Sequence, residues 1–373
     1  MKSKSFEIKY PQINSGAGIS NVYISDDAPD FISYFSAGQP RNDNTRYFFV
    51  TDATVASLDC MKEFTASFDD GVLGQDRLII LGSGEKYKTI ESVLEIVKAA
   101  INENFSRNDC FVGIGGGVIC DITAFAASIF KRGARVKLVP TTVLAMVDAS
   151  MGGKTGCDFD NYKNMIGTFF PAEDILCYTQ FIPSLPENQF KSGLAEAFKT
   201  ALLFDKELYD WFKNESDKIN NRDPSTLVSI ISKCIYAKGK VVENDLTERG
   251  ERALLNFGHT FAHAYESIVG LGAVAHGEAV AWGIGRALAL CVHKDICSAA
   301  YRDEVFEVME KYGWDTNPIP FAVTGGGIGE RFITAMQKDK KNKTSKIRLI
   351  LQKGLCDNLI QEVEDEDILY ILK

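Results

Sequence analysis

The chain has 373 residues, of which 45% are hydrophobic and 24% charged, and this length favours two domains over a single core. Its formal net charge of −9 argues against a nucleic-acid-binding protein, which would carry a basic face. No apolar run reaches the roughly 18–20 residues of a membrane-spanning helix, and the N-terminal stretch has no apolar core of a signal peptide, so we expect neither membrane association nor secretion.

The first half of the chain alternates between two hydrophobic periods. Short β-rich runs predict strands at residues 46–52, 77–81, 110–114 and 135–142. Helical spacing predicts helices between them, at residues 54–64, 90–105 and 118–130. In the second of these helices, one apolar face is predicted to contain Val93, Leu94, Val97, Ala100 and Ile101. Strands that alternate with helices imply a parallel sheet covered on both faces, with ligands at the carboxyl ends of its strands.

After about residue 180 the helical period dominates. Helices are predicted at residues 186–212 and 225–245 and in the segments that follow Arg252, His276 and Ala299, and a strand is predicted at 345–352. We therefore expect an α/β domain over residues 1–180 and a mostly helical domain over residues 181–373.

The nine cysteines are scattered along the chain and include no CxxC pair. Such a set is typical of reduced thiols in the cytoplasm, where we expect this protein to be located. Most of these cysteines are expected to fill space in the core.

A glycine-rich turn, "VGIGGGVICD", joins the third predicted strand to a helix. Such a turn allows backbone N–H groups and a helix N-terminus to approach a pyrophosphate. The dinucleotide fingerprint GxGxxG is incomplete, because Val118 stands where the third glycine belongs. From these residues alone, an anion-binding turn and an ordinary tight turn both remain open.

A second glycine-rich turn, "SMGGKTG", contains Lys154. It is not a phosphate-binding P-loop, since Asp148 stands where that motif begins with glycine. Cations nevertheless outnumber acids between residues 131 and 163, where the basic residues are Lys131, Arg132, Arg135, Lys137, Lys154 and Lys163. A locally basic region in an acidic protein suggests a small anionic ligand.

The chain has four histidines, and two of them, His259 and His263, are spaced to share one face of a helix. The spacing is that of HExxH zinc sites, although Thr260 replaces the catalytic glutamate. Spacing alone would pair His259 with His263 as metal ligands, and histidines satisfied by hydrogen bonds are the alternative. A catalytic zinc site needs a third ligand, and the candidates are His276, Glu266, Glu278 and Glu196.

Taken together, the motifs identify a protein family far more specifically than any single motif does. In order along the chain they are "GIGGGVICD", "PTTVLAMVDASMGGKTG", "KNMIG", "SGLAEAFK", "ERALLNFGHTFAHAYE", "HGEAVAWG" and "DKK". This series resembles the 3-dehydroquinate synthases, which belong to the sugar-phosphate cyclases. The resemblance extends from about residue 45 to the C-terminus.

The resemblance implies a Rossmann-like domain that binds NAD, followed by a helical domain that binds Zn²⁺, with Co²⁺ as an alternative metal, and a substrate between the two. It implies a carbon–oxygen lyase of aromatic amino-acid biosynthesis that converts 3-deoxy-D-arabino-heptulosonate 7-phosphate into 3-dehydroquinate and phosphate. In this family, transient oxidation by NAD⁺ permits elimination of phosphate; re-reduction and an intramolecular aldol step follow. A homodimer is also expected.

The resemblance also assigns residues. The metal ligands are Glu196, His259 and His276. His263, one helical turn from His259, is instead a substrate contact, grouped with the catalytic positions Lys154, Lys199, Lys238, Arg252 and Asn256. Further substrate positions are Arg132, Asp148, Lys163, Asn164 and Lys340. The nucleotide positions are Asp52, Glu85, Lys88, Gly116, Gly117, Asp121, Thr141 and Thr142.

The sequence departs from the usual pattern of the family at Met146, Ala149, Tyr162, Leu246 and Ala262. None of these positions is an expected metal ligand or substrate cation. They leave open a related cyclase that acts on a heptulose 7-phosphate or another sugar phosphate. Two different classes of protein also remain open: an alcohol dehydrogenase of similar fold, and a non-catalytic descendant that serves as a binding or structural protein.

Overall fold

The computed structural model describes residues 3–10, 13, 15–26, 34–35, 45–69, 75–160, 162–248, 250–270, 272–338 and 346–373. Its strands are β1 (Ser3–Lys9), β2 (Ile19–Ser25), β3 (Tyr47–Asp52), β4 (Arg77–Leu81), β5 (Cys110–Gly115), β6 (Arg135–Pro140), β7 (Lys154–Phe159), β8 (Tyr162–Phe169), β9 (Asp174–Tyr178), β10 (Ile347–Gly354) and β11 (Asp357–Val363).

The α-helices are α1 (Ala53–Ala56), α2 (Lys62–Asp69), α3 (Ile90–Asn102), α4 (Gly117–Ile129), α5 (Glu187–Phe204), α6 (Lys206–Asn214), α7 (Ser216–Asn220), α8 (Pro224–Asn244), α9 (His259–Val269), α10 (His276–His293), α11 (Ala299–Lys311), α12 (Ile328–Gln337) and α13 (Asp365–Ile371). None of the helices within the described ranges is both long enough and apolar enough to cross a membrane.

The chain forms two compact units. The first, here called the sheet unit, comprises Met1–Pro186 and Arg222–Leu246, and the second, the helical unit, comprises Glu187–Asn221 and Thr247–Lys373. The sequence-based division at residue 180 assigned 222–246 to the second domain, whereas here this segment belongs to the sheet unit. Its helix, α8, packs on β1 and β2, and Gly239 allows the close contact, since a Cβ there would lie 3.2 Å from Ile8.

The sheet unit is built on seven strands in the order β1-β2-β9-β6-β5-β3-β4. All neighbours pair in parallel except β1, which is antiparallel to β2. Strands β4 and β5 lie on opposite sides of β3, so the direction of winding reverses between β3 and β5. Open parallel sheets bind ligands at such a reversal, beyond the carboxyl ends of the strands.

Two predicted helices of the sheet unit differ in detail from those observed. The helix expected at 54–64 is broken into α1, a 3₁₀ turn at Asp59–Met61, and the start of α2. In α3 the buried face contains Val93, Ile96 and Ala100, whereas Leu94 and Ile101 are 53% and 55% exposed. The expected apolar face of α3 was therefore wrong at Leu94 and Ile101, because the face that packs in the core is centred on Ile96.

A buried polar network joins β6 to β9. Asp174 Oδ2 lies 2.5 Å from Lys137 Nζ and accepts a hydrogen bond of 2.7 Å from the Tyr34 hydroxyl, while Asn21 Nδ2 donates to Oδ1 at 2.9 Å. Burial by itself raises the pKa of Asp174, but the Lys137 cation and the three donors outweigh it and hold the pKa below its ordinary value.

The helical unit is organised around α10, which is buried along most of its length. It packs against α5, α9, α11 and β10. Its Trp282 ring lies 5.1 Å from the Phe332 ring and 5.4 Å from that of Tyr265, and Trp282 Nε1 donates to the Asn317 carbonyl at 2.9 Å. The single helix predicted at 186–212 is two, since Asp205 caps α6 by accepting the N–H of Leu208. The predicted α/β plus α fold class is confirmed.

Candidate functional site

Two glycines bring three segments of the helical unit into close contact. The Gly277 N–H donates to Ser192 Oγ at 2.9 Å, and a Cβ on Gly277 would lie only 1.9 Å from the Ser192 carbonyl oxygen. A Cβ on Gly283 would lie 2.1 Å from the carbonyl oxygen of Gly258. Helix α10 can therefore approach both α5 and the start of α9 more closely than any larger residue would allow.

This packing gathers a carboxylate and two imidazoles. The potential ligand atoms of Glu196, His259 and His276 all lie within 4.8 Å of one another. Glu196 Oε1 is 3.6 Å from His259 Nε2 and also 3.6 Å from His276 Nε2. Each side chain comes from a different helix, α5, α9 or α10, so the cluster is a product of the tertiary fold.

The opposite nitrogen of each ring is held by a hydrogen-bond acceptor. His276 Nδ1 lies 3.2 Å from Glu266 Oε1, and His259 Nδ1 lies 3.2 Å from the Phe257 carbonyl oxygen. With the proton assigned to Nδ1 in both rings, the Nε2 lone pairs face Glu196. Acceptors of this kind orient histidines in metal sites and fix their tautomer.

The three side chains fit a divalent cation. Glu196 Oε1 is buried and accepts no hydrogen bond from any residue that the structure describes. The Lys199 ammonium forms an ion pair with Glu196 Oε2, and both side chains are almost fully buried. Two imidazole nitrogens and one carboxylate are a donor set suited to zinc with one position left open.

His263 lies beside this cluster without completing it. Its ring centroid is 5.6 Å from that of His259 and 6.4 Å from that of His276. The cluster therefore pairs His259 with His276, as the family resemblance implies, and not with His263, as helical spacing alone suggested. Glu278, another candidate ligand, also lies outside the cluster.

Two other predicted residues occupy the 3₁₀ turn Glu251–Asn256 before α9. The Arg252 side chain is buried, at 1% exposure. Asn256 Nδ2 donates to Glu248 Oε1 at 2.5 Å and to the Ala253 carbonyl at 3.1 Å. Lys340, the remaining predicted substrate contact of this part of the chain, lies outside the described residues.

In the sheet unit, several predicted nucleotide residues meet at the carboxyl ends of β3, β5 and β6. Gly116 is the N-cap of α4 and provides no side-chain cap for its first N–H groups. A Cβ on Gly116 would lie 3.2 Å from the Thr142 side chain, and the Thr141 N–H donates to the Gly115 carbonyl at 2.9 Å. A helix N-terminus bordered by glycine in this way is suited to an anion.

Asp52 ends β3 at the same edge of the sheet. Its Oδ1 accepts the backbone N–H groups of Thr54 at 2.8 Å and Val55 at 3.1 Å, and the Ser83 hydroxyl at 2.9 Å. Asp52 thus caps α1 and also fixes the loop after β4.

A buried lysine links α4 to the β7–β8 hairpin. Lys88 Nζ lies 2.7 Å from Asp121 Oδ2 and donates to Asn164 Oδ1 at 2.7 Å. Burial alone would lower the pKa of Lys88, but the negative charges of Asp121 and Glu85 raise it, so the ammonium remains charged. Four predicted site residues are therefore neighbours here.

Another ion pair of the sheet unit connects α8 to the turn after β6. Lys238 Nζ lies 2.6 Å from Asp148 Oδ1 and also donates to the Asp148 carbonyl oxygen. Lys154 begins β7, and Lys163 lies on β8.

Arg132 lies apart from the predicted nucleotide residues at the glycine turn. Helix α4 begins at the glycine turn and has 13 residues, so Arg132 lies beyond its far end, about 20 Å away. There it lines a cavity of about 850 Å³ with Arg107 and Arg135. Its substrate role stays a prediction.

Sequence patterns did not reveal three contributors to the metal cluster. The Phe257 carbonyl leaves no trace in a sequence, because every residue carries one. Glu266 was named only as a candidate ligand, whereas here its carboxylate lies 3.2 Å from Nδ1 of the His276 ring. The sequence does contain one sign of the close contact between α10 and α5, because Gly277, which has no side chain, directly follows His276.

Family models and similar sequences agree on one family. The family model described as 3-dehydroquinate synthase N-terminal matches residues 78–192, and that described as 3-dehydroquinate synthase C-terminal matches residues 193–342. A 3-dehydroquinate synthase of Campylobacter concisus is 35% identical over 354 residues, which are 95% of this chain and 98% of that protein. One from Acidithiobacillus ferrooxidans is 36% identical over 313 residues, 83% of each chain.

Solved structures show the same fold. The 2-epi-5-epi-valiolone synthase of Streptomyces hygroscopicus, with NAD⁺ and Zn²⁺ bound, has a TM-score of 0.82 and 25% identity, covering 97% of this chain and 96% of that one. A 2-deoxy-scyllo-inosose synthase complexed with carbaglucose-6-phosphate, NAD⁺ and Co²⁺ has a TM-score of 0.83 and 22% identity over 99% of each chain. A probable glycerol dehydrogenase of Sinorhizobium meliloti is more distant, with a TM-score of 0.61 and 13% identity over 94% of this chain and 95% of that one.

Proposed function

Because the chain belongs to the 3-dehydroquinate synthase family, we propose that it converts 3-deoxy-D-arabino-heptulosonate 7-phosphate into 3-dehydroquinate and phosphate. In this role it is a carbon–oxygen lyase of aromatic amino-acid biosynthesis. The observation that carries the proposal is the cluster of Glu196, His259 and His276, together with relatives of this name along almost the whole chain.

When bound, NAD⁺ supplies a reversible hydride acceptor, and Zn²⁺ or Co²⁺ supplies a Lewis acid. Glu196, His259 and His276 are the proposed metal ligands. Glu266 and the Phe257 carbonyl hold the two imidazoles in the tautomer that binds a cation.

For the nucleotide, the proposed pyrophosphate position is the N-terminus of α4, beside Gly116 and Gly117. Backbone N–H groups there can donate to phosphate oxygens without a competing side-chain cap. The other proposed nucleotide residues at the same edge of the sheet are Asp52, Glu85, Lys88, Asp121, Thr141 and Thr142.

The substrate carries a carboxylate and a phosphate, and both are bound well by cationic donors. Lys154, Lys163 and Lys238 of the sheet unit and Arg252 and His263 of the helical unit are proposed to supply them. Asn164 and Asn256 are proposed as amide donors. The buried Lys199 ammonium holds the Glu196 carboxylate in place through their ion pair.

Two related enzyme classes would carry out different chemistry. Another sugar-phosphate cyclase would prefer a sugar that lacks the carboxylate, and the similarity to solved cyclase structures keeps that substrate class open. An alcohol dehydrogenase shares the fold at lower similarity, but it would accumulate NADH and release no phosphate. The homodimer and the cytoplasmic location stay predictions.

The test is phosphate release from 3-deoxy-D-arabino-heptulosonate 7-phosphate by the purified enzyme, with and without NAD⁺ and with and without a metal chelator. We expect phosphate to accumulate only when both cofactors are present, with no matching rise in NADH absorbance. Stoichiometric NADH would favour a dehydrogenase. Faster turnover of sedoheptulose 7-phosphate than of the keto acid would favour the other cyclases.

A further inference from the structure

Two cysteines of the helical unit are brought together by the end of α10. Cys291 lies in the last turn of this helix, and the chain then reverses at Asp295, whose φ is +53°. The Ile296 N–H donates to the Cys291 carbonyl at 2.8 Å, and the Asp295 N–H donates to the Val292 carbonyl at 3.1 Å. This pair of bonds is a Schellman motif. It folds Cys297 back over Cys291, and the Cys297 N–H donates to the Cys291 carbonyl at 3.4 Å.

The two thiols have different surroundings. Cys291 is fully buried, with Sγ accepting the Gln352 N–H at 3.4 Å. Cys297 is partly exposed and immediately precedes Ser298, the N-cap of α11. A helix N-terminus favours a thiolate, and the Arg302 cation in the first turn of α11 acts in the same direction.

These surroundings shift the pKa values of the two thiols in opposite directions. Interaction with the Cys291 thiol lowers the pKa of Cys297 despite partial burial, and Arg302 lowers it further. Interaction with the Cys297 thiol, together with burial, raises the pKa of Cys291. A partly exposed thiol whose pKa is lowered, beside a second thiol, is the arrangement found in redox-active pairs.

We propose that Cys291 and Cys297 are a reversible redox pair, which a peroxide oxidises to an intrachain disulfide. The Cys297 thiolate attacks the peroxide, the O–O bond breaks, and Cys297 becomes a sulfenic acid. The Cys291 thiol then attacks that sulfur and displaces water. In total, the two thiols lose two protons and two electrons, and hydrogen peroxide is reduced to two waters.

The sequence makes the disulfide simple to detect. Trypsin cleaves after Arg286, Lys294 and Arg302, so the two cysteines fall in separate peptides, 287–294 and 295–302. The full-length, zinc-loaded protein is treated with hydrogen peroxide, digested without reductant and analysed by mass spectrometry. We expect these two peptides joined, lighter by two hydrogen atoms than their sum, and separated again by dithiothreitol.

Variants identify the mechanism. Cys297→Ser should abolish the joined product, whereas Cys291→Ser should leave a Cys297 sulfenic acid that dimedone traps. Cys60 is the matched control, because it is also partly exposed but burial raises its pKa. Cys60→Ser should leave the joined product unchanged, and in the unaltered protein iodoacetamide should alkylate Cys297 about tenfold faster than Cys60, or more, since the thiolate is the reactive form.

Two results would overturn the proposal. The first is a joined product between peptide 295–302 and the peptide that carries Cys356, a third thiol close to Tyr301. The second is the absence of any joined product while Cys60 and Cys297 react with peroxide and iodoacetamide at equal rates. Cys297 is partly exposed, so the Cys297→Ser variant places no substitution in the core. The alkylation rates are measured on the unaltered protein, so they test the proposal even if a variant fails to fold.

Discussion

The Gly277→Ala substitution should remove the bound metal by moving a helix. A Cβ at this position would lie 1.9 Å from the Ser192 carbonyl oxygen, and real Cβ contacts essentially never fall below 3.0 Å. The start of α10 must therefore move from α5 by about 1 Å, since the obstacle is backbone and cannot rotate away. His276 is the first residue of α10 and Glu196 lies on α5, so this shift separates two proposed ligands.

Metal sites tolerate changes of only about 0.2 Å in ligand distance. A shift about five times larger should lower zinc affinity by at least the roughly 10–100-fold that follows loss of an orienting partner. The assay is zinc content after dialysis against a graded series of chelator concentrations, with circular dichroism to establish folding. Phosphate release should fall in parallel.

Gly285→Ala is the matched control on the same helix. A Cβ there would lie 3.6 Å from the Phe306 ring, an ordinary contact. This variant should keep its zinc and gain about 0.5–1 kcal/mol in free energy of unfolding, because alanine is the better helix former. Normal zinc affinity in Gly277→Ala would refute the idea that this glycine sets the spacing of the ligands.

Four further outcomes are expected. His276→Ala should lose zinc, whereas His263→Ala should keep zinc and lose substrate affinity or rate; metal analysis of both variants decides between the two histidines. Glu266→Ala should weaken zinc binding by about 10–100-fold in a chelator competition, because the His276 ring loses its orienting acceptor. Arg252→Ala should cost about ten- to a hundredfold in substrate affinity with zinc and NAD⁺ binding retained, and Arg252→Lys should restore only part of it; equal kinetics in all three proteins would exclude Arg252 from the site. Asp174→Asn should lower the free energy of unfolding at neutral pH by about 3–5 kcal/mol, because it leaves a buried lysine unpaired. Since the folded-state pKa of Asp174 is lowered, the difference in stability from the unaltered protein should disappear as the pH falls through that pKa. A difference that persisted in acid would contradict the ion-pair explanation.

The sequence by itself determined the elements whose hydrophobic period is long and regular. The four predicted strands of the sheet unit appear within two residues of their expected ends, and the helices that bear Glu196 and His276 were both foreseen. The strands β1, β2 and β9 and the β7–β8 hairpin were not predicted. Strands β1 and β8 are largely exposed, so they lack the apolar run that predicts a buried strand. Strand β2 joins the sheet through β9, about 150 residues later in the chain.

For the site, the sequence supported two different ligand sets. Helical spacing paired His259 with His263, because a pattern within one helix can relate only residues that are about one turn apart. Similarity to a family named Glu196, His259 and His276, but without a physical reason. Only the tertiary structure supplied that reason: the absent side chains of Gly277 and Gly283 let α5, α9 and α10 approach closely enough for three distant side chains to meet. The sequence shows these glycines, but the segments that they contact are decided by how the backbones pack across the fold.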